Sequence, residues 1–230
     1  MIIVKDKLTD EQLFNEIYKA AAEYEKLLGK KYLIIGKNRK SDYFWFECYF
    51  EKKQFMHLLG IGSRTLSAND FFDRCIEHNL GEDVELKIND CTPSRNHNRN
   101  TINKKSSCCA ALLRIQDAKY MNIGKKDKIN RYVDFSYAYG KEAILGFKEA
   151  SMGSCFPITL MTQNIDTVTT KKYKVILVFK KGKTDEQYGC ILSEIKKGIF
   201  PEIYNDKFFP DALKKRIEIT EPDLCSCTTS

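Results

Sequence analysis

Tyr43-Phe44-Trp45-Phe46-Glu47-Cys48-Tyr49-Phe50 is the stretch on which the fold turns. Aromatic residues at this density suit a pleated, half-buried surface, so the run reads as a β-strand. Alternation sends Phe44, Phe46, Cys48 and Phe50 to one face. Tyr43, Trp45, Glu47 and Tyr49 go to the other, which is aromatic yet partly polar. Just upstream, Lys31-Tyr32-Leu33-Ile34-Ile35-Gly36 is a second short β-rich run. The polar, turn-like stretch 38–42 makes the pair a β-hairpin.

A helix precedes the hairpin. Thr9 and Gln12 stand at the spacing of a capping box, and Leu13, Ile17, Ala20, Tyr24, Leu27 and Leu28 follow at helical steps until Gly29. Its apolar stripe needs a surface to cover, and the hairpin supplies one. Beyond the hairpin, Gly60 and Gly62 end whatever precedes them. Ser67-Ala68-Asn69-Asp70 opens a further helix with Phe71, Phe72, Cys75, Ile76 and Leu80 on its stripe. Residues 82–106 lack periodicity and read as a long, basic, mobile loop, most marked near 90–106. From 106 to about 120 the chain is amphipathic again, and 124–128 reads as a basic turn.

Strands then dominate, with candidates at 131–137, 142–148, 173–180 and 188–195. The third is apolar on both faces and is expected to be central. The expected organisation is α+β, with N-terminal helices packed on a mostly antiparallel four- to five-stranded sheet. It forms a single domain over 1–195 and an irregular C-terminal extension over 196–230.

Composition narrows the function. The chain has 230 residues, 43% hydrophobic and 30% charged, with 38 Lys+Arg against 31 Asp+Glu and a formal charge of +7. That length suits one sizeable core. The absence of any long apolar run excludes a spanning helix, and the early charges at Lys5, Asp6 and Lys7 do not suit a signal peptide. The expectation is a cytoplasmic protein with no membrane association. The positive charge favours phosphate-bearing partners weakly, because acid and base are interleaved. Nine cysteines without Cys-x-x-Cys spacing, and three histidines without His-x-x-x-His spacing, favour reduced, mostly buried thiols over a disulfide framework or a zinc site. Lys181-Gly182-Lys183-Thr184 imitates the end of a phosphate loop. Leu177 stands where that loop needs its first glycine, so a nucleotide triphosphatase is rejected. No metal and no cofactor is expected.

Phe55-Met56-His57-Leu58-Leu59-Gly60-Ile61 behind an aromatic strand resembles a known pattern. So do the helix with Phe71-Phe72, Leu145-Gly146-Phe147-Lys148, and Pro157-Ile158-Thr159-Leu160-Met161. Together they resemble the phage-associated branch of the barnase–EndoU–colicin–RelE-like nucleases, over about residues 10–195. The chain departs from that pattern at Leu59, where threonine is usual, and at Phe72, where tyrosine is common. The resemblance implies a metal-independent RNA-cleaving nuclease of phage or mobile-element origin, of the kind that acts as a toxin.

Such chemistry needs a base for the ribose 2′-OH, a cation for the phosphorane and an acid for the leaving 5′-oxygen, with a 2′,3′-cyclic phosphate as product. His57 is the expected acid or base. Its structural alternative is a ring packed between Met56 and Leu58. Lys148 is the expected phosphate cation, or else an exposed strand-end lysine. Thr159 is the expected hydroxyl donor, or else a loop-capping threonine. Arg64, Tyr49, Phe147, Arg95 and Arg99 are the expected substrate-binding residues. Tyr49, with Trp45, is suited to stack unpaired bases, or else the aromatic hairpin is core. RNA is the expected partner. A non-catalytic nuclease-like module that binds RNA, or a host or inhibitor protein, is the alternative.

Overall fold

A computed structural model describes residues 4–81, 86–87, 99–125, 133–139, 142–150 and 153–218. Helix α1 (Asp10–Glu25) begins as its capping box dictates. The Thr9 hydroxyl accepts from the Gln12 amide at 3.2 Å, and the Gln12 side chain accepts from the Thr9 amide at 3.1 Å. Strands β1 (Lys30–Lys37) and β2 (Tyr43–Tyr49) form the expected antiparallel hairpin, with Leu33 opposite Glu47. Helix α2 (Lys52–Leu59) follows and ends on Gly60 at φ +72°, a left-handed turn that glycine adopts without a Cβ penalty. A two-residue strand β3 (Gly62–Ser63), helix α3 (Ala68–Ile76) and strand β4 (Leu86–Lys87) come next, β3 and β4 pairing as a small ribbon. Helix α4 (Arg99–Leu113) starts well before residue 106.

The rest of the sheet is β5 (Met121–Lys125), β6 (Phe135–Tyr139), β7 (Ala143–Glu149), β8 (Ser154–Met161), β9 (Tyr173–Gly182) and β10 (Cys190–Glu194). It is larger than the four or five antiparallel strands expected. Eight strands pair in the order β1-β2-β8-β7-β6-β5-β9-β10, and β1 also pairs with β9, so the pairing closes on itself. The contact between β2 and β8 is parallel, which makes the sheet mixed. The α+β class holds, and the sheet size is corrected. Two strands escaped the pattern reading for identifiable reasons. β8 carries Pro157, which removes a ladder donor. The strand tolerates it beside a bulge, where the β7–β8 register shifts between Gly146 and Phe147. β5 is short and contains Gly124, a residue that weakens any strand signal.

The ring has two thin seams. The β2–β8 junction is Glu47 opposite Ser154 and Cys48 opposite Cys155, and the β5–β9 junction is also two pairs. Inward-facing side chains, among them Tyr32, Ile34, Phe46, Cys48, Phe50, Leu145, Phe147 and Val178, share one core with α1 to α4. The outer face of β1 and β9 carries Leu33, Ile35, Leu177 and Phe179. It is covered by the chain after β10, including helices α5 (Phe200–Tyr204) and α6 (Asp211–Lys214), which bury Ile203, Phe209, Leu213 and Ile217. Burial on both faces explains why the stretch of β9 from Val175 to Phe179 is apolar without interruption. Among the described residues the cysteines are free thiols; Cys48, Cys75, Cys108, Cys109 and Cys155 are buried and Cys190 half-buried.

A polar latch fastens the C-terminal segment to the hairpin. The Asp206 carboxylate accepts from Lys37 Nζ at 2.5 Å and from the Tyr43 hydroxyl at 2.8 Å. These donors, Lys37 foremost, hold its carboxyl well below the usual range. Because the folded pKa is depressed, the latch stabilises the fold above the unfolded value of about 3.9 and is lost as pH falls below it. Asp206→Asn is expected to lower the thermal midpoint at pH 7, and the gap is expected to narrow progressively below about pH 4. Thermal unfolding followed by circular dichroism at both pH values checks this; a gap independent of pH would count against the latch.

Candidate nucleic-acid site

The outward face of β2 presents Trp45, Glu47 and Tyr49, alternating with the buried Phe46 and Cys48. Glu47 is only 9% exposed, an unusual place for a carboxylate. It is held by neighbours from distant parts of the chain. The Ser154 hydroxyl donates to Oε1 across the β2–β8 seam, and the Tyr188 hydroxyl donates to Oε2 at 2.7 Å. Three cations surround it: Lys31 Nζ at 3.7 Å, Arg216 Nη1 at 3.7 Å and Lys181 Nζ at 4.0 Å. Lys181 also lies over the Tyr188 ring, 4.5 Å from its centroid.

The electrostatics follow from this geometry. Burial opposes the Glu47 charge, but the hydrogen bonds from Ser154 and Tyr188 and the Lys181 and Lys31 charges outweigh it, so its pKa is lowered and the group is ionised at neutral pH. Burial pushes the Tyr188 hydroxyl up, and its bond to Glu47 pushes it further, so it remains a donor. Burial lowers the pKa of Lys181 against the opposing pull of Glu47. A proton acceptor, a proton-bearing lysine of reduced basicity and two further cations thus stand around one point.

The outer face continues past this cluster. Tyr49 meets Phe156 with ring centroids 6.2 Å apart, and Phe156 is opposite Lys148 on β7. Lys148 is exposed and alternates with the inward Phe147. Thr159 is half-buried opposite Gly146; a Cβ on that glycine would come within 3.0 Å of the Thr159 methyl and 2.8 Å of Val133. A cleft of about 780 Å³ adjoins the cluster through Lys181, lined also by Lys30, Lys180, Gln187 and Glu218.

Of the sequence-predicted residues, the sheet brings Lys148, Thr159 and Tyr49 to the outer face that carries Glu47. His57 lies elsewhere. It is exposed on α2, whose Phe55, Leu58 and Leu59 enter the inner core, so the expected trio does not share one surface. Phe147 is fully buried against Phe46 and Phe50. Arg99 opens α4 and is engaged internally, with Asp10 at 2.6 Å and the Leu8 carbonyl at 3.2 Å. Arg64 is exposed just after β3. Arg95 lies outside the described residues. Glu47 was visible only as the polar intrusion in an aromatic strand, and no local pattern marks Tyr188 or Arg216.

Among the described residues no group of three or more His, Cys, Asp or Glu side chains is placed to hold a metal ion, and no helix is long and apolar enough to cross a membrane. A family model described as phage-Barnase-EndoU-ColicinE5/D-RelE like nuclease4 matches residues 16–197. No curated protein and no solved structure matches the chain.

Tyr188→Phe removes one donor from Glu47 and is expected to raise its pKa toward about 4.3, the ordinary glutamate value. Titration of the Glu47 carboxyl carbon by NMR, wild type against variant, reads this directly. An unchanged midpoint would mean the hydroxyl does not hold the charge.

Proposed function

Because the chain belongs to the phage-Barnase-EndoU-ColicinE5/D-RelE like nuclease family, we propose that it cleaves RNA without a metal ion, with Glu47 as the general base. The observation that carries this reading is the ionised Glu47 carboxylate set among Lys31, Lys181 and Arg216 within 4.0 Å, on a sheet face that also bears Lys148 and Tyr49. The Glu47 carboxylate takes the ribose 2′-OH proton, and the 2′-oxygen attacks phosphorus. Lysine charge stabilises the phosphorane. Lys181, its basicity lowered by burial, gives a proton to the departing 5′-oxygen. The products are a 2′,3′-cyclic phosphate and a free 5′-hydroxyl, and water then carries the proton from Glu47 back to Lys181. Tyr49 and Phe156 offer a stacking surface for an unpaired base, and Lys148 and Thr159 lie along the path of the adjoining backbone.

A second reading has its own support. Glu47 is nearly sealed and already accepts from Ser154 and Tyr188. Such saturation also suits a nuclease-like module that binds RNA or a host protein without cutting it.

Purified protein incubated with a mixed RNA pool in EDTA is expected to yield fragments with 2′,3′-cyclic phosphate ends. Glu47→Gln is expected to lower kcat by about 10²–10⁴, and His57→Ala to leave it within a fewfold. Loss of cleavage in the His57 variant alone would return the proton-transfer role to the helix. Intact RNA with steeply salt-dependent binding would favour the non-cutting module.

A further inference from the structure

The family match ends at residue 197, yet the Glu47 cluster draws a side chain from beyond it. Four apolar residues of the following segment, Ile203, Phe209, Leu213 and Ile217, are between 0% and 7% exposed. They lie on Leu33, Ile35, Leu177 and Phe179. Together with the Asp206 latch to Lys37 and Tyr43, this makes the segment a fixed part of the fold and not a lid.

Gln187, whose side chain donates to the Lys215 carbonyl at 3.1 Å, and Tyr188 tie its end to the site. The Tyr188 amide donates to the Arg216 carbonyl at 2.8 Å, and the Glu218 amide donates to the Tyr188 carbonyl at 3.1 Å, so the backbone on either side of Ile217 is docked on Tyr188. The hydroxyl of the same Tyr188 donates to Glu47. Tyr188 therefore fixes the carboxylate with its side chain and the Arg216 main chain with its backbone. The Arg216 side chain is 52% exposed and approaches Glu47 at 3.7 Å, beyond a normal hydrogen bond. A guanidinium has five N–H donors, and among the described residues this longer contact is the one its side chain makes, which leaves most of that bonding capacity open beside the carboxylate. A half-exposed ion pair of this kind contributes little to stability, and the apolar anchors flanking it hold the segment without it.

We propose that the segment after β10 brings a working cation to the site and that the Arg216 guanidinium binds the scissile phosphate next to Glu47. The inference rests on the RNA-cleavage reading and deepens it, assigning a catalytic cation to a part of the chain outside the family region.

Arg216→Gln in the full chain is expected to keep its thermal midpoint and lose about a hundredfold in kcat on RNA, with Arg216→Lys recovering part of the loss. Binding is read separately with a short single-stranded oligodeoxyribonucleotide, which has no 2′-OH and cannot be cut by this route. The slope of log K against log salt is expected to shrink by about 0.7 in Arg216→Gln, one single-strand phosphate contact. Lys215→Gln, an equal change in charge at the exposed neighbouring residue, is expected to leave kcat and slope near wild type. Active wild type with an equally active Arg216→Gln of unchanged slope overturns the inference and leaves the function standing; so does a Lys215→Gln that reproduces both effects. Wild type that leaves RNA intact overturns the function. In that event an unchanged oligonucleotide slope, or no binding, removes the phosphate contact as well, and a reduced slope retains it.

Discussion

A carboxylate held charged on a nearly dry sheet face is the constraint around which this molecule is arranged. Removing Glu47 from water is unfavourable by several kcal/mol unless its lone pairs and charge are answered. The answers come from Lys31, Ser154, Lys181 and Tyr188, residues brought together from separate stretches of sequence. The Ser154 contact falls on the parallel β2–β8 junction, which is only two residue pairs long. A thin seam and a buried charge thus occupy the same place, and each is supported by the other's hydrogen bond.

The hairpin makes this arrangement possible because its two faces differ. Phe46, Cys48 and Phe50 are consumed by the core beneath the helices, and Trp45, Glu47 and Tyr49 are left on the outside. The outside is then divided. Its β1–β9 part is apolar and needs the C-terminal segment as a cover, and the far part of β7 and β8 packs Ile144, Ile158 and Met161 with Val133, Ile165 and Val168, whereas the strip with Tyr49, Phe156 and Lys148 between them is exposed or half-buried. The site lies at that boundary, where the cover stops. This explains why burial, cationic charge and access to solvent meet within a few ångströms.

Much of the fold was legible because it is encoded locally. The capping box of α1, the hairpin and its two faces, the start of α3 at Ser67 and the doubly buried β9 all follow from spacing and residue type. The strand around Pro157 did not, because proline is compatible with a strand only where a bulge or an edge relieves it, and that is a tertiary circumstance. The site was legible in part. Lys148, Thr159 and Tyr49 share the outer face as strand alternation allows. His57 drew attention through its motif, but its stretch forms an amphipathic helix that turns the ring to solvent on the helical layer.

By itself the sequence determined the α+β class, the sidedness of the aromatic hairpin and the family, since periodicity, capping and motif spacing act over a few residues. Only the tertiary structure decided that the sheet closes on itself, that Glu47 keeps its charge, and that Tyr188 and Arg216 arrive beside it. The pKa of a buried acid depends on which donors and cations surround it in space, and no short stretch of chain carries that information.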